Sequence, residues 1–101
     1  MGMARLKKSA RGKHRWVGFT VDRRLSREDL DEFLSTNLDL ISWRLFDILE
    51  RNGKTISILK VPLVDFQATL SELNDVDGIS TLTSSGKIKL VRKRIIELGF
   101  E

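Results

Sequence analysis

The sequence contains no cysteine, a single histidine and no apolar run that approaches ~18 residues. Without cysteine, a disulfide scaffold, a thiol nucleophile and a cysteine-based zinc site are excluded. The lone His14 leaves a transition-metal site or a Ser-His-Asp triad without its other parts. No P-loop and no GxGxxG motif occurs. We therefore expect no cofactor and no metal on the chain, neither secretion nor a membrane span, and a cytoplasmic location.

The positive charge is concentrated near the two ends of the chain. The 101 residues suffice for one compact domain and carry a net charge of +4. Residues 1–15 hold six basic side chains and no acid, residues 87–94 hold five, and residues 16–86 hold seven basic and twelve acidic ones. This pattern favours a polyanionic partner, because each Lys or Arg near a phosphate releases counterions. A solvated terminus beside an ordinary surface helix is the alternative.

The first half of the chain shows a strand followed by a helix. From His14 to Asp22 apolar residues alternate, as in a half-buried strand whose buried side carries Val17, Phe19 and Val21. A helix is predicted after Leu25, because Ser26 is a suitable N-cap, acids follow in the first turn, and Leu25 and Leu30 can form a staple. The apolar stripe of this helix is Leu30, Phe33, Leu34 and Leu38, with Ile41 next in the series.

The second half begins with the strongest local signal, a hairpin. Two β-rich stretches, 43–50 and 55–61, flank Asn52-Gly53, which supplies the positive φ values of a tight turn. Pro62 then predicts the first turn of a helix. Its apolar positions are Leu63, Phe66, Leu70 and Leu73. A short strand over 79–83 and a basic helix over about 87–98 complete the chain. The stripe of this last helix is Ile88, Val91, Ile95 and Leu98, and Gly99 ends it.

The order β-α-β-β-α-β with an added C-terminal helix predicts an α+β, ferredoxin-like (split βαβ) fold. Two crossover helices should cover one face of a four-stranded antiparallel sheet. The last helix either lies across the other face or packs at its edge. We predict a flexible basic arm over residues 1–13 and a single domain over residues 14–98.

The residues give little support to catalysis. Glu28, Asp29, Asp31 and Glu32 lie at the start of a helix, where the helix dipole explains them. Small acylphosphatases share the fold plan, but the candidate loop Asp22-Arg23-Arg24 has no glycine to bring its backbone onto a phosphate. RNA-recognition modules of this fold stack bases on aromatic residues, yet the strand from Lys54 to Val61 has none. The turn Ser84-Ser85-Gly86-Lys87, opening a basic helix, is suited to contacting a single phosphate.

Four blocks between Leu6 and Ile96 follow one another in a characteristic order. They are the basic opening with Trp16 and Phe19, the helix start Leu25–Leu30, the hairpin Asn52-Gly53-Lys54 with Ile56 and Ile58, and Ser85-Gly86-Lys87-Ile88-Lys89 followed by Arg92-Lys93-Arg94. In these blocks the sequence resembles protein component 2 of archaeal and eukaryotic ribonuclease P, the Pop-five family. The connection over 38–43 is shorter than in the family, and Thr81-Leu82-Thr83-Ser84 replaces a common Val-Leu-Gly-Val run. The chain thus resembles a divergent or minimal member.

The resemblance implies a non-catalytic subunit that stabilises the catalytic RNA during 5′ processing of precursor tRNA. Any catalytic metal ions would then be bound by the RNA, and a TIM-barrel subunit, component 3, would be the protein partner. The residues that correspond to RNA contacts are Arg11, Lys13, Arg15, Ser85, Lys87, Lys89, Arg92 and Lys93. Two alternatives stay open: another structured-RNA-binding protein of this fold, for instance one acting on ribosomal RNA, or a ferredoxin-like module for protein interaction or ligand sensing.

Overall fold

A computed structural model of the protein describes residues 13–38 and 42–99. Its elements are β1 (His14–Val21), α1 (Arg27–Asn37), β2 (Arg44–Arg51), β3 (Lys54–Pro62), a 3-10 turn (Leu63–Asp65), α2 (Phe66–Asp75), β4 (Ile79–Ser85) and α3 (Ile88–Glu97). The strands form one antiparallel sheet in the order β2-β3-β1-β4. The ferredoxin-like fold predicted from the sequence is therefore confirmed. The predicted arm, apart from Lys13, and Ile41 lie outside the described residues.

Helices α1 and α2 cover one face of the sheet. Val17, Phe19 and Val21 of β1 are fully buried there, in a core completed mainly by leucines of the two helices. Helix α1 begins as predicted, since the Ser26 hydroxyl accepts the Asp29 N–H at 3.1 Å. The period-2 pattern of β1 thus places the side that carries Val17, Phe19 and Val21 toward the helices.

The hairpin between β2 and β3 has the predicted turn, with φ of +55° at Asn52 and +81° at Gly53. The prediction that Pro62 lies in the first turn of a helix is wrong, because this residue is the last of β3 and pairs with His14. The Leu63 N–H donates to the Lys13 carbonyl at 3.1 Å, so pairing with the β1 side continues past Pro62 and keeps the backbone extended. A 3-10 turn follows before α2 starts, and Leu63 is 41% exposed rather than part of the core.

Helix α3 lies across the other face of the sheet, which settles the position that the sequence left open. Val91 and Ile95 pack on Ile56 and Ile58 of β3, with Trp16 and Phe46 at the margin of the cluster. A Cβ added to Gly18 would be 3.1 Å from Ile95 Cδ1 and 3.2 Å from Val91 Cγ1, so the helix crosses β1 where that strand has no side chain. Gly99, with φ of +93°, follows the helix as predicted, whereas Leu98 is 54% exposed and does not extend the buried stripe.

A bulge at Asp47 in strand β2 provides a contact with helix α3. The register of β2 against β3 shifts between Phe46 and Ile48, which leaves Asp47 as an extra residue with φ of +51°. The Ser57 hydroxyl is shared between the carbonyls of Asp47, at 2.8 Å, and Phe46, at 3.2 Å. The bulge turns the Asp47 carboxylate toward α3, where Arg92 binds it. Among the described helices, none is long and apolar enough to cross a membrane.

Candidate nucleic-acid interface

One end of the sheet collects basic residues from four separate strand ends. Because neighbouring strands are antiparallel, β1 and β2 begin at the same end at which β3 and β4 finish. We call this the basic end. Its residues are Lys13, His14, Arg15, Arg44, Lys60 and Lys87.

The described part of the first basic segment, residues 13–15, meets the start of the second, Lys87, at the basic end. Trp16 is the cross-strand partner of Ser85, so the start of β1 lies beside the end of β4. The Arg15 guanidinium reaches the turn after β4: a Cβ on Gly86 would be 3.8 Å from Arg15 Nη1. Arg15 also lies over the Phe66 ring, 5.3 Å from its centroid, and its buried Nε has no hydrogen-bond partner. Residues about 70 positions apart in the sequence therefore form a single surface.

The opposite end of the sheet, which we call the far end, is mixed in charge. It is formed by the loop after β1, the β2–β3 hairpin and the loop before β4. Its carboxylates are Asp22, Glu50, Asp75 and Asp77, and its cations include Arg24, Arg51 and Lys54. Arg24 and Glu50 form an exposed ion pair at 3.6 Å. Cations and carboxylates are therefore balanced at the far end, whereas at the basic end the cations outnumber Asp65, the carboxylate of the 3-10 turn after β3.

The predicted contacts at the start of α3 differ in their accessibility. Lys87, Lys89 and Lys93 are exposed, and in the described part of the chain they form no ion pair. Ser85 is only 8% exposed, and its hydroxyl accepts the Lys87 N–H at 3.1 Å. Ser85 therefore holds the turn that precedes α3, while the lysines remain available to a ligand.

Arg92 is held by a bidentate ion pair. Its Nε and Nη2 donate to the Asp47 carboxylate at 2.6 and 2.9 Å. Donating these hydrogen bonds to the Asp47 carboxylate raises the pKa of Arg92, so the guanidinium stays charged at every accessible pH. With its side chain 48% exposed, Arg92 can still present its outer edge to solvent.

The two remaining predicted contacts are at the start of the chain. Lys13 is exposed and joins the basic end through its backbone, as its carbonyl accepts the Leu63 N–H. Arg11 lies outside the described residues. The structure thus brings Lys13 and Arg15 together with Ser85 and Lys87, while Lys89, Arg92 and Lys93 follow along α3.

Sequence reasoning missed two cations of the basic end, Arg44 and Lys60. They are cross-strand partners, and Lys60 also pairs with Trp16, whose ring centroid is 5.4 Å from Lys60 Nζ. With Ser85 opposite Trp16, a row of four side chains crosses the sheet: Arg44, Lys60, Trp16 and Ser85. The available signal was weak, namely one basic residue near the outer end of each hairpin strand.

Within residues 13–38 and 42–99, no three His, Asp or Glu side chains are arranged so that they could hold a metal ion. No protein-family model, curated protein or solved structure matches the chain. The candidate interface is therefore defined by its own geometry: exposed and half-buried cations gathered at one end of a sheet whose two faces are both packed by helices.

Proposed function

We propose that this chain is a non-catalytic protein subunit of ribonuclease P, binding and stabilising the catalytic RNA during 5′ processing of precursor tRNA. The sequence resemblance supplies the identity of the RNA, the TIM-barrel component 3 as protein partner, and the cytoplasm as location. The observation that carries RNA binding is the meeting of the two basic segments at the basic end, with Arg15 beside Gly86. Phosphates of a folded RNA would be the ligand of this surface.

The packing of α3 supports recognition of RNA shape rather than of single-stranded bases. The central strands could offer stacking surfaces only on the α3 face, but there Val91 and Ile95 cover Ile56 and Ile58. Strand β3 has no aromatic residue, and Trp16 packs at the margin of the α3 cluster. Lysines, arginines and backbone N–H groups suffice for contacts with phosphates and 2′-hydroxyls.

Reconstitution tests this function. The full chain is added to a ribonuclease P RNA with the other protein subunits, and the rate of precursor tRNA cleavage is measured with and without it. We expect the rate to rise, or the Mg²⁺ requirement to fall, because the chain stabilises the active fold of the RNA. The Lys87→Ala, Lys89→Ala variant, which lacks two of the proposed RNA contacts, should stimulate cleavage less at equal concentration.

Two outcomes would contradict the proposal. An unchanged cleavage rate, together with binding to the RNA, would favour another structured RNA, such as ribosomal RNA, as the ligand. No RNA binding even at low salt would favour a protein-interaction or ligand-sensing module, in which the basic segments are incidental.

A further inference from the structure

A small cavity opens at the basic end, separate from the surface formed by Arg15 and Gly86. It has a volume of about 290 Å³ and is lined by His14, Ser42, Trp43, Arg44, Lys60 and Pro62. We call it the sheet-end pocket. Clefts for drug-sized ligands span about 300–1,000 Å³, so this pocket suits one small group rather than a long ligand.

Most of the pocket lining belongs to the α3 face of the sheet, whereas Trp43 also packs against the α1/α2 core at the sheet edge. His14 and Trp16 are two residues apart in β1 and share a face, and Trp16 packs in the α3 cluster. Arg15 lies between them in β1 and packs on Phe66, at the margin of the α1/α2 core. Apart from Trp43, the sheet-end pocket and the Arg15 surface are thus on opposite faces of the same sheet end.

The pocket lining combines basic side chains with an apolar wall formed by Trp43 and Pro62. Arg44 and Lys60 are directly opposite each other on β2 and β3, and His14 pairs with Pro62 in the adjoining ladder. No carboxylate is among the lining residues, and neither Arg44, Lys60 nor His14 forms an ion pair within the described residues. Arg44 also borders a neighbouring groove with Glu28 and Asp31, but it forms no ion pair with either of them. An anion bound in the sheet-end pocket would therefore offset the repulsion between the like charges of Arg44 and Lys60.

We propose that the sheet-end pocket binds a phosphodiester group of the structured RNA, with Arg44 and Lys60 as the charged contacts. Trp43 and Pro62 form the wall against which the adjoining ribose or base rests. This inference rests on the proposed function. It adds a second contact site, so that RNA engages both faces of the basic end instead of only the turn before α3.

The β2–β3 ladder offers a matched pair of variants for the test. Arg44 opposes Lys60 at the basic end, and Arg51 opposes Lys54 at the far end. The pocket variant is Arg44→Ala, Lys60→Ala, and the control is Arg51→Ala, Lys54→Ala. Both remove the same charge from the same two strands. Affinity for the ribonuclease P RNA is measured by fluorescence anisotropy between low and physiological salt.

We expect the pocket variant to bind about tenfold more weakly at physiological salt, with a slope of log affinity against log salt about two units shallower. The control should match the wild type in both quantities. Circular dichroism checks that both variants fold. If the pocket variant is unstable, Arg44→Gln, Lys60→Gln is used, and Arg44→Lys, Lys60→Arg should keep most of the affinity.

The outcomes separate this inference from the function on which it rests. A pocket variant with wild-type affinity and slope overturns the inference while RNA binding itself stands. Wild-type RNA affinity combined with lost stimulation in the full reconstitution would mean that the pocket contacts a protein subunit, and this also overturns it. A wild-type chain that binds no structured RNA overturns both.

Discussion

Gly18 lies under α3, where an added side chain would meet Val91 and Ile95 at 3.1–3.2 Å. We predict that Gly18→Val lowers the free energy of unfolding by about 1–3 kcal/mol, because overpacking forces the helix away from the sheet. Urea unfolding followed by circular dichroism measures the change. The control is Gly86→Val, since a Cβ on Gly86 meets nothing closer than 3.8 Å. Equal effects of both substitutions would show that the close approach at Gly18 does not matter.

The Asp47–Arg92 pair joins the β2 bulge to α3. A double-mutant cycle with Asp47→Asn and Arg92→Ala should give a coupling energy of about 0.5–1 kcal/mol, because both side chains are partly exposed and water screens the pair. Asparagine is chosen because it tolerates the positive φ of +51° at residue 47. The coupling should shrink in ~1 M salt. Additive single substitutions at low salt would contradict this prediction.

Helix α1 offers a prediction at the level of an element, since its start depends on one hydroxyl. Ser26→Ala leaves the Asp29 N–H without its acceptor, and we predict a loss of about 1 kcal/mol of folding stability. Ser35→Ala is the control: this exposed residue lies within the same helix, where alanine is a better helix former. Thermal unfolding of the two variants checks the difference. A Ser26→Ala protein as stable as Ser35→Ala would mean that the cap contributes nothing.

The elements that could be predicted from the sequence are those with local causes. Ser26 caps its own helix, Asn52-Gly53 forms its own turn, and alternation in β1 depends only on the period of a strand. The error at Pro62 had a long-range cause, because pairing with the residue before β1 keeps that segment extended. The position of α3 also depends on a distant feature, the missing side chain at Gly18.

The candidate site was only partly predictable, because it also combines local features with long-range ones. Both basic segments are visible in the sequence, but their proximity requires the strand order β2-β3-β1-β4. Counting outward from the Asn52-Gly53 turn would place Lys60 opposite Leu45. The extra residue Asp47 shifts the register, so that Arg44 opposes Lys60 instead. No local sequence pattern predicts that bulge, and the sheet-end pocket depends on it because the bulge places Arg44 opposite Lys60.

At the scale of the whole molecule, the separation of charge matters more than its total. The net charge of +4 is modest, but the basic end carries Lys13, Arg15, Arg44, Lys60 and Lys87, whereas the far end mixes both signs. A field of this kind orients an approaching polyanion before contact. A protein with the same net charge spread evenly would attract RNA without a preferred face.

Two triple variants with equal net charge test whether RNA is attracted by the basic end or by the total charge of the protein. Lys13→Ala, Lys87→Ala, Lys89→Ala removes three exposed cations at the basic end and the start of α3. Arg24→Ala, Arg51→Ala, Lys54→Ala removes three from the far end. We predict that the first flattens the slope of log RNA affinity against log salt by about three units and the second leaves it unchanged, because only contacted phosphates release counterions. If both triples weaken binding equally, total charge governs attraction and the basic end is not the RNA-binding surface.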